Sequence, residues 1–309
     1  MKTALIFPGQ GSQRVGMGRA LAEREPLARR TFEEADDALG FSLSRLCFDG
    51  PESELVLTAN TQPAILTTSI AVWRVLAARG LTCDVAAGHS LGEWSALVAL
   101  GALELADAVM LTNLRGKLMQ EAVPAGAGAM AALLGLSLPA AEALCAEASA
   151  PGEPVEPANL NGAGQIVISG AAAAVERAIE RAKAAGAKRA VKLAVSAPFH
   201  CSLMAPAAAG LAEALAKVEL RTPRAPLVAN VTAAVTSDPQ ELRELLIRQV
   251  TGTVRWEESV QTLAALGVRR GFELGPGAVL KGLVKRISPD LEVTSVGEPD
   301  EVDAVLAAP

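Results

Sequence analysis

The sequence predicts an α/β fold in which a parallel sheet forms a large domain and a small subdomain is inserted into it. Three observations carry this expectation: an apolar strand pattern from Thr3 to Phe7, an alternation of strand, turn and helix from Asp84 to Ala122, and a change of rhythm between Gly126 and Val195.

The first strand pattern runs into the Gly-rich turn Pro8-Gly9-Gln10-Gly11-Ser12-Gln13, and helical patterns follow to about Gly80, clearest from Gln62 to Arg79. Asp84 to Gly88 reads as a short strand, with helices expected over Leu91 to Leu100 and Leu105 to Ala122. From Gly126 the order becomes strand, helix (Ala140 to Ala148), strand (Val155 to Leu160), the turn Asn161-Gly162-Ala163-Gly164, strand (Gln165 to Ser169), helix (Ala171 to Ala185) and strand (Arg189 to Val195). That β-α-β-β-α-β order is the split arrangement of a ferredoxin-like subdomain. It is expected over residues 125–195, with 1–124 and 196–309 forming the large α/β domain. Beyond it, helices are expected over Met204 to Lys217, Gln240 to Val250 and Trp256 to Leu266, and strands over Pro226 to Ala229 and Arg270 to Leu274.

Composition narrows the function classes. The 309 residues are 50% hydrophobic and 20% charged with a net charge of -6, the profile of a globular protein with a large core. Aromatic residues are 3%, tyrosine is absent and no basic run interleaves with aromatics, so a nucleic-acid partner is not expected. No apolar run reaches the roughly 18 residues of a spanning helix, and the opening one is too short for a signal peptide, so no membrane is expected and the cytoplasm is the expected compartment. Cys47, Cys83, Cys145 and Cys201 lack Cys-x-x-Cys spacing and no metal site is expected.

Gly88-His89-Ser90-Leu91-Gly92 places a serine at a strand-to-helix turn, where glycines relieve crowding and the helix N-terminus offers oriented N–H groups. The pentapeptide reads either as a nucleophile elbow or as a turn whose serine caps a helix. A nucleophilic hydroxyl needs a base, and the chain holds only two histidines, His89 and His200. Neighbours on a tight turn diverge, so His89 reads as a residue bonded locally to stiffen the turn. His200 remains, in a loop stiffened by Pro198 just before a helix. In α/β-hydrolases an acid precedes the histidine, yet acids such as Glu142 fall in the inserted region here. Leu111, Arg115 and Met119 share one helix face, so an arginine lies on an apolar stripe. Either it snorkels to solvent or it grips a carboxylate bidentately, and the second reading predicts an acidic acyl group.

Together the motifs Phe7-Pro8-Gly9-Gln10-Gly11-Ser12-Gln13, Thr61-Gln62-Pro63-Ala64, Gly88-His89-Ser90-Leu91-Gly92-Glu93, Arg115-Gly116 with Met119-Gln120-Glu121-Ala122, Asn161 to Gly170, Phe199-His200 and Gly275-Pro276-Gly277 resemble the malonyl-CoA:acyl-carrier-protein transacylase family almost end to end. The resemblance implies an α/β-hydrolase-like large domain and a malonyl ester on Ser90, formed from malonyl-CoA with His200 as base and passed to the thiol of a separate holo acyl carrier protein, in fatty-acid or polyketide synthesis. It implies an oxyanion hole made by Gln10 and the Leu91 N–H, and Gln249 in place of the triad acid, its carbonyl orienting His200. Arg115, Phe199, Gln62 and Met119 are the implied substrate-binding residues. No cofactor is implied, CoA being only the leaving group. The turn Asn161-Gly162-Ala163-Gly164 lacks a proline that many members carry. Two rivals stay open at this point: a hydrolase using the same Ser90 and His200 with water, and a non-catalytic acyl-binding homologue.

Overall fold

Strand β1 (Lys2–Phe7) is flanked by parallel neighbours on both sides, and Ala4, Leu5, Ile6 and Phe7 are wholly buried. Such a continuous apolar run is what a strand covered on both faces requires. Leu5 and Phe7 join one hydrophobic cluster and Ala4 and Ile6 another, on opposite faces of the sheet. The computed structural model describes residues 2–195 and 197–307; Ser196, where the return to the large domain is expected, lies outside them.

Helices α1 (Arg19–Arg24), α2 (Pro26–Leu39), α3 (Leu43–Asp49) and α4 (Glu52–Leu55) lead to the long α5 (Thr58–Ala78), followed by β2 (Val85–Gly88), α6 (Leu91–Ala99) and α7 (Leu105–Glu121). Pro63 inside α5 has no N–H, so the Ala59 carbonyl lacks its helical donor. Asn113 Nδ2 on α7 donates to that oxygen at 2.8 Å. Gly116 lets the two helices meet there, because a Cβ at that position would lie 2.5 Å from Ala59 Cα. This crossing places Gln62 of α5 against Arg115 of α7.

Next come β3 (Gly128–Leu134), α8 (Leu138–Ala148), β4 (Val155–Gly162), β5 (Gln165–Ala171), α9 (Ala172–Ala182) and β6 (Arg189–Lys192). Their four strands form an antiparallel sheet in the order β4-β5-β3-β6, the pairing a ferredoxin-like β-α-β-β-α-β chain adopts. Both helices pack on it around a cluster of its own that includes Leu133, Leu144, Ile168 and Val175.

The chain closes with a 3-10 turn at Ser202–Met204, α10 (Ala205–Leu215), β7 (Leu227–Val228), β8 (Val235–Thr236), α11 (Pro239–Thr251), α12 (Trp256–Ala265), β9 (Val268–Leu274), α13 (Val279–Ile287), β10 (Glu292–Val296) and α14 (Pro299–Ala307). The large sheet has the order β10-β9-β1-β2-β7-β8, parallel except for the final β7-β8 pair. Neither β8 nor β10 is expected from the sequence. The first has two residues and the second is a mostly unburied edge strand, so neither carries an apolar run to read.

Main-chain bonds tie the small sheet to the segment between α11 and α12: Leu160 N–H donates to Val254 O at 2.9 Å and Val254 N–H to Ala158 O at 2.8 Å. From β4, the Glu156 carboxylate accepts both the N–H and the hydroxyl of Ser202. Ser202 stands just after His200, so the small sheet helps hold the loop that bears the histidine.

Candidate active site

Ser90 joins β2 to α6 at φ 51° and ψ −106°, a conformation side-chain-bearing residues rarely adopt. The flanking glycines make this possible. A Cβ on Gly88 would come within 2.0 Å of Gly92 C, and one on Gly92 within 2.0 Å of Phe7 O. The elbow therefore sits directly on β1, at the C-terminal ends of two neighbouring parallel strands, where open α/β sheets bind ligands. From the loop after β7, Asn230 Oδ1 accepts the Ser90 N–H at 2.7 Å and Nδ2 donates to Gly88 O at 2.6 Å. Ser90 N–H is thus occupied. The next one, of Leu91, opens α6 and has no partner four residues back within the helix.

Ser90 Oγ is 2.7 Å from His200 Nε2, and His200 Nδ1 is 2.8 Å from the main-chain oxygen of Gln249. A carbonyl only accepts, so Nδ1 carries the proton and Nε2 is left as an acceptor facing the serine hydroxyl. His200 itself has φ 60°, so both Ser90 and His200 are held on strained backbone. Burial, and then the positive charge of Arg115, pushes its pKa down to about 3. The imidazole is accordingly neutral at physiological pH, with Nε2 as an acceptor. The resemblance had a Gln249 carbonyl orienting His200, and the one that does so is the main-chain carbonyl; the side chain points elsewhere.

Arg115 does not snorkel. It is 2% exposed, and its guanidinium donates from one terminal nitrogen to Gln62 Oε1 at 2.7 Å and from the other to Gln249 Oε1 at 3.0 Å and Ser90 Oγ at 3.3 Å. Its Nε has no hydrogen-bond partner. Burial lowers its pKa to about 10, so it stays charged at neutral pH. A buried guanidinium held only by neutral oxygens, beside the Ser90 hydroxyl, is chemically suited to pairing with an anion.

Gln10, Gln62, Ser90, Arg115, Met119, Phe199 and His200 all line one cavity of about 280 Å³, which Met130 and Leu193 of the small sheet and its trailing segment help to wall. Gln62 Nε2 also approaches Met119 Sδ at 3.9 Å. Phe199 is buried in the wall of the cavity. Gln10 is exposed at the mouth, its Nε2 3.4 Å from Thr58 Oγ1. Leu91 and Gln249 do not line it; they adjoin Ser90, Leu91 as the next residue and Gln249 through the bond from its Nε2 to Ser90 O at 2.9 Å. His89 bonds its own main chain, as its place in the turn predicts, and its Nε2 also reaches Asn161 Oδ1 of the small sheet at 2.9 Å; burial lowers its pKa.

Two further residues complete the arrangement. Asn230 pins the elbow; its signal in the sequence is a polar side chain at the C-terminal end of an apolar strand pattern. Glu93, quoted above only as the end of a motif, is 1% exposed and accepts from Gln249 Nε2 at 2.5 Å. Burial pushes its pKa up to about 7, against the pull of its hydrogen bonds and of Arg115. Among the described residues no group of three or more His, Cys, Asp or Glu is placed to hold a metal, and no helix is long and apolar enough to cross a membrane.

Residues 4–298 match the family model described as acyl transferase domain. A malonyl CoA-acyl carrier protein transacylase of Bacillus subtilis (strain 168) is 49% identical over 305 residues, which cover 99% of this chain and 96% of the relative. One from Escherichia coli (strain K12) is 49% identical over 98% of both chains. Among solved structures, an acyl carrier protein S-malonyltransferase of Vibrio cholerae superposes with a TM-score of 0.96 at 49% identity, covering 99% of this chain and all of that one. A malonyl-transacylase solved in complex with a type II PKS acyl-carrier protein gives a TM-score of 0.96 at 46% identity, covering 99% of each chain. With an elbow serine, a neutral histidine base and a buried arginine in one cavity, and likeness over nearly its whole length, the chain belongs to the malonyl CoA-acyl carrier protein transacylase family of acyl transferases.

Proposed function

We propose that the protein transfers the malonyl group of malonyl-CoA to the phosphopantetheine thiol of a separate holo acyl carrier protein, through a malonyl ester on Ser90. The observation that carries this reading is the buried Arg115 guanidinium, 3.3 Å from Ser90 Oγ and in contact with no carboxylate side chain among the described residues. An acyl group ending in a carboxylate satisfies it.

In the first half-reaction Ser90 Oγ attacks the thioester carbonyl while its proton passes to His200 Nε2. Gln10 and the Leu91 N–H face the oxygen that becomes an anion, and such a donor contributes about 3 kcal/mol to the transition state. The C–S bond breaks and His200 returns the proton to the departing CoA thiolate. In the second half-reaction His200 takes the proton of the carrier thiol, the thiolate attacks the ester carbonyl, the C–O bond breaks, and Ser90 regains its proton. Arg115 holds the malonyl carboxylate throughout, with Gln62 and Met119 behind it and Phe199 bounding the acyl space. Every group this scheme requires is a side chain or main-chain amide of the chain, so the scheme calls for no cofactor; the reading places it in the cytoplasm, within fatty-acid or polyketide synthesis. Residues 125–195 act as the unit that walls the cavity opposite the elbow.

A donor panel of malonyl-CoA, methylmalonyl-CoA and acetyl-CoA, assayed with one holo carrier protein, tests the reading. Malonyl transfer should dominate, depend on the carrier, and lose its preference over acetyl in Arg115→Ala. Carrier-independent release of free malonate as the main product would mean a hydrolase instead.

A further inference from the structure

Glu93 occupies the third position of α6, where a glutamate ordinarily reaches back to bond the N–H of the capping residue. Here that N–H, of Ser90, is already taken by Asn230 Oδ1. The carboxylate turns inward instead, fully buried, and accepts from Gln249 Nε2, with the Asn230 N–H at 3.4 Å. Plain helix capping therefore does not account for a buried acid at this position.

What it does is visible at the other end of the Gln249 amide. The amide nitrogen faces acceptors: Glu93 Oε2, Ser90 O at 2.9 Å and Asn230 Oδ1 at 3.3 Å. The amide oxygen faces the Arg115 guanidinium at 3.0 Å. Turned over, the amide would present N–H groups to a cation and its oxygen to a carboxylate, a doubly repulsive arrangement. Glu93, whose ionised carboxylate can only accept, fixes the amide in the orientation that supports Arg115. A relay thus runs from Glu93 through Gln249 to the guanidinium, and Glu93 touches neither Ser90 Oγ nor His200.

We propose that Glu93 is a positioning residue that sets selectivity for carboxylated acyl donors by holding Arg115 through the side-chain amide of Gln249. This rests on the malonyl reading of the site given above.

The test compares kcat/KM for malonyl-CoA and acetyl-CoA, with the holo carrier protein as acceptor, in the unaltered protein, Glu93→Leu, Glu93→Gln and Arg115→Ala. In Glu93→Leu the malonyl-to-acetyl ratio should fall roughly tenfold or more, the worth of one hydrogen bond to a charged group, mainly through a higher KM for malonyl-CoA. Glu93→Gln, which keeps an acceptor oxygen, should restore most of the ratio. If Glu93→Leu lowers both donors in parallel or leaves the ratio alone while Arg115→Ala loses it, Glu93 is merely structural and the inference is overturned. A ratio unmoved by Arg115→Ala would instead defeat the malonyl reading itself. Should Glu93→Leu not fold, Glu93→Asp, which withdraws the carboxylate by one methylene, takes its place under the same criterion.

Discussion

Two strained residues face one another across a hydrogen bond, Ser90 at φ 51° and His200 at φ 60°. The surrounding contacts over-determine both: Asn230 grips the elbow from two sides and the Gln249 main chain holds the imidazole. A main-chain carbonyl carries no charge, so it stabilises an imidazolium less than a carboxylate would. That agrees with a base whose pKa lies near 3 rather than at the usual 6.5. Because a lowered pKa keeps the neutral form to lower pH, phosphonylation of Ser90 by an uncharged probe should stay level from about pH 8 down to about pH 5. Loss with a midpoint near the ordinary 6.5 would show a base free of these influences. Ser90, His200 and Arg115 were legible in the sequence because each announces itself locally: a glycine-bracketed serine, a second and last histidine, a cation on an apolar stripe. Asn230 and Glu93 were not, because their roles are defined by partners more than a hundred residues away along the chain.

At the scale of elements, the site depends on backbones approaching where no side chain could fit. Gly92 lies over Phe7 O and Gly116 over Ala59, so β1 supports the elbow and α5 delivers Gln62 to Arg115. Gly92→Ala should destabilise the protein by about 3 kcal/mol, as overpacking of a rigid contact does, and the denaturant midpoint would report it. The buried Glu273 has a different task. Its carboxylate accepts the Leu280 and Lys281 N–H groups at 2.9 Å each and the Ser295 hydroxyl at 3.0 Å, joining β9, α13 and β10. Glu273→Ala should cost about 2 kcal/mol of stability by orphaning these donors, with little change in the malonyl-to-acetyl ratio. A loss of ratio without loss of stability would contradict that division of labour. Helix periods and the long parallel strands could be read ahead because each element buries a complete face. The two-residue β8 and the edge strand β10 bury too little to leave a pattern.

At the scale of the whole molecule, the cavity lies between a parallel sheet that carries the nucleophile and an antiparallel sheet that helps wall it. The change of rhythm after Gly126 made the second sheet legible, but its attachment through Val254 and through the Glu156 to Ser202 contact was not, since these join segments distant in sequence. Glu156→Ala should slow acyl transfer several-fold by loosening the His200 loop while barely moving the melting temperature, because that contact is exposed and exposed bonds add little stability. Transfer rates equal to those of the unaltered protein would show that the small sheet does not steady the base. A malonyl ester on Ser90 is detectable by mass spectrometry of the protein mixed with malonyl-CoA in the absence of a carrier. One malonyl adduct per chain should form, located on the Ser90 peptide, lost in Ser90→Ala and discharged on adding a holo carrier protein. No adduct, or an adduct on another residue that the carrier discharges equally well, would contradict it.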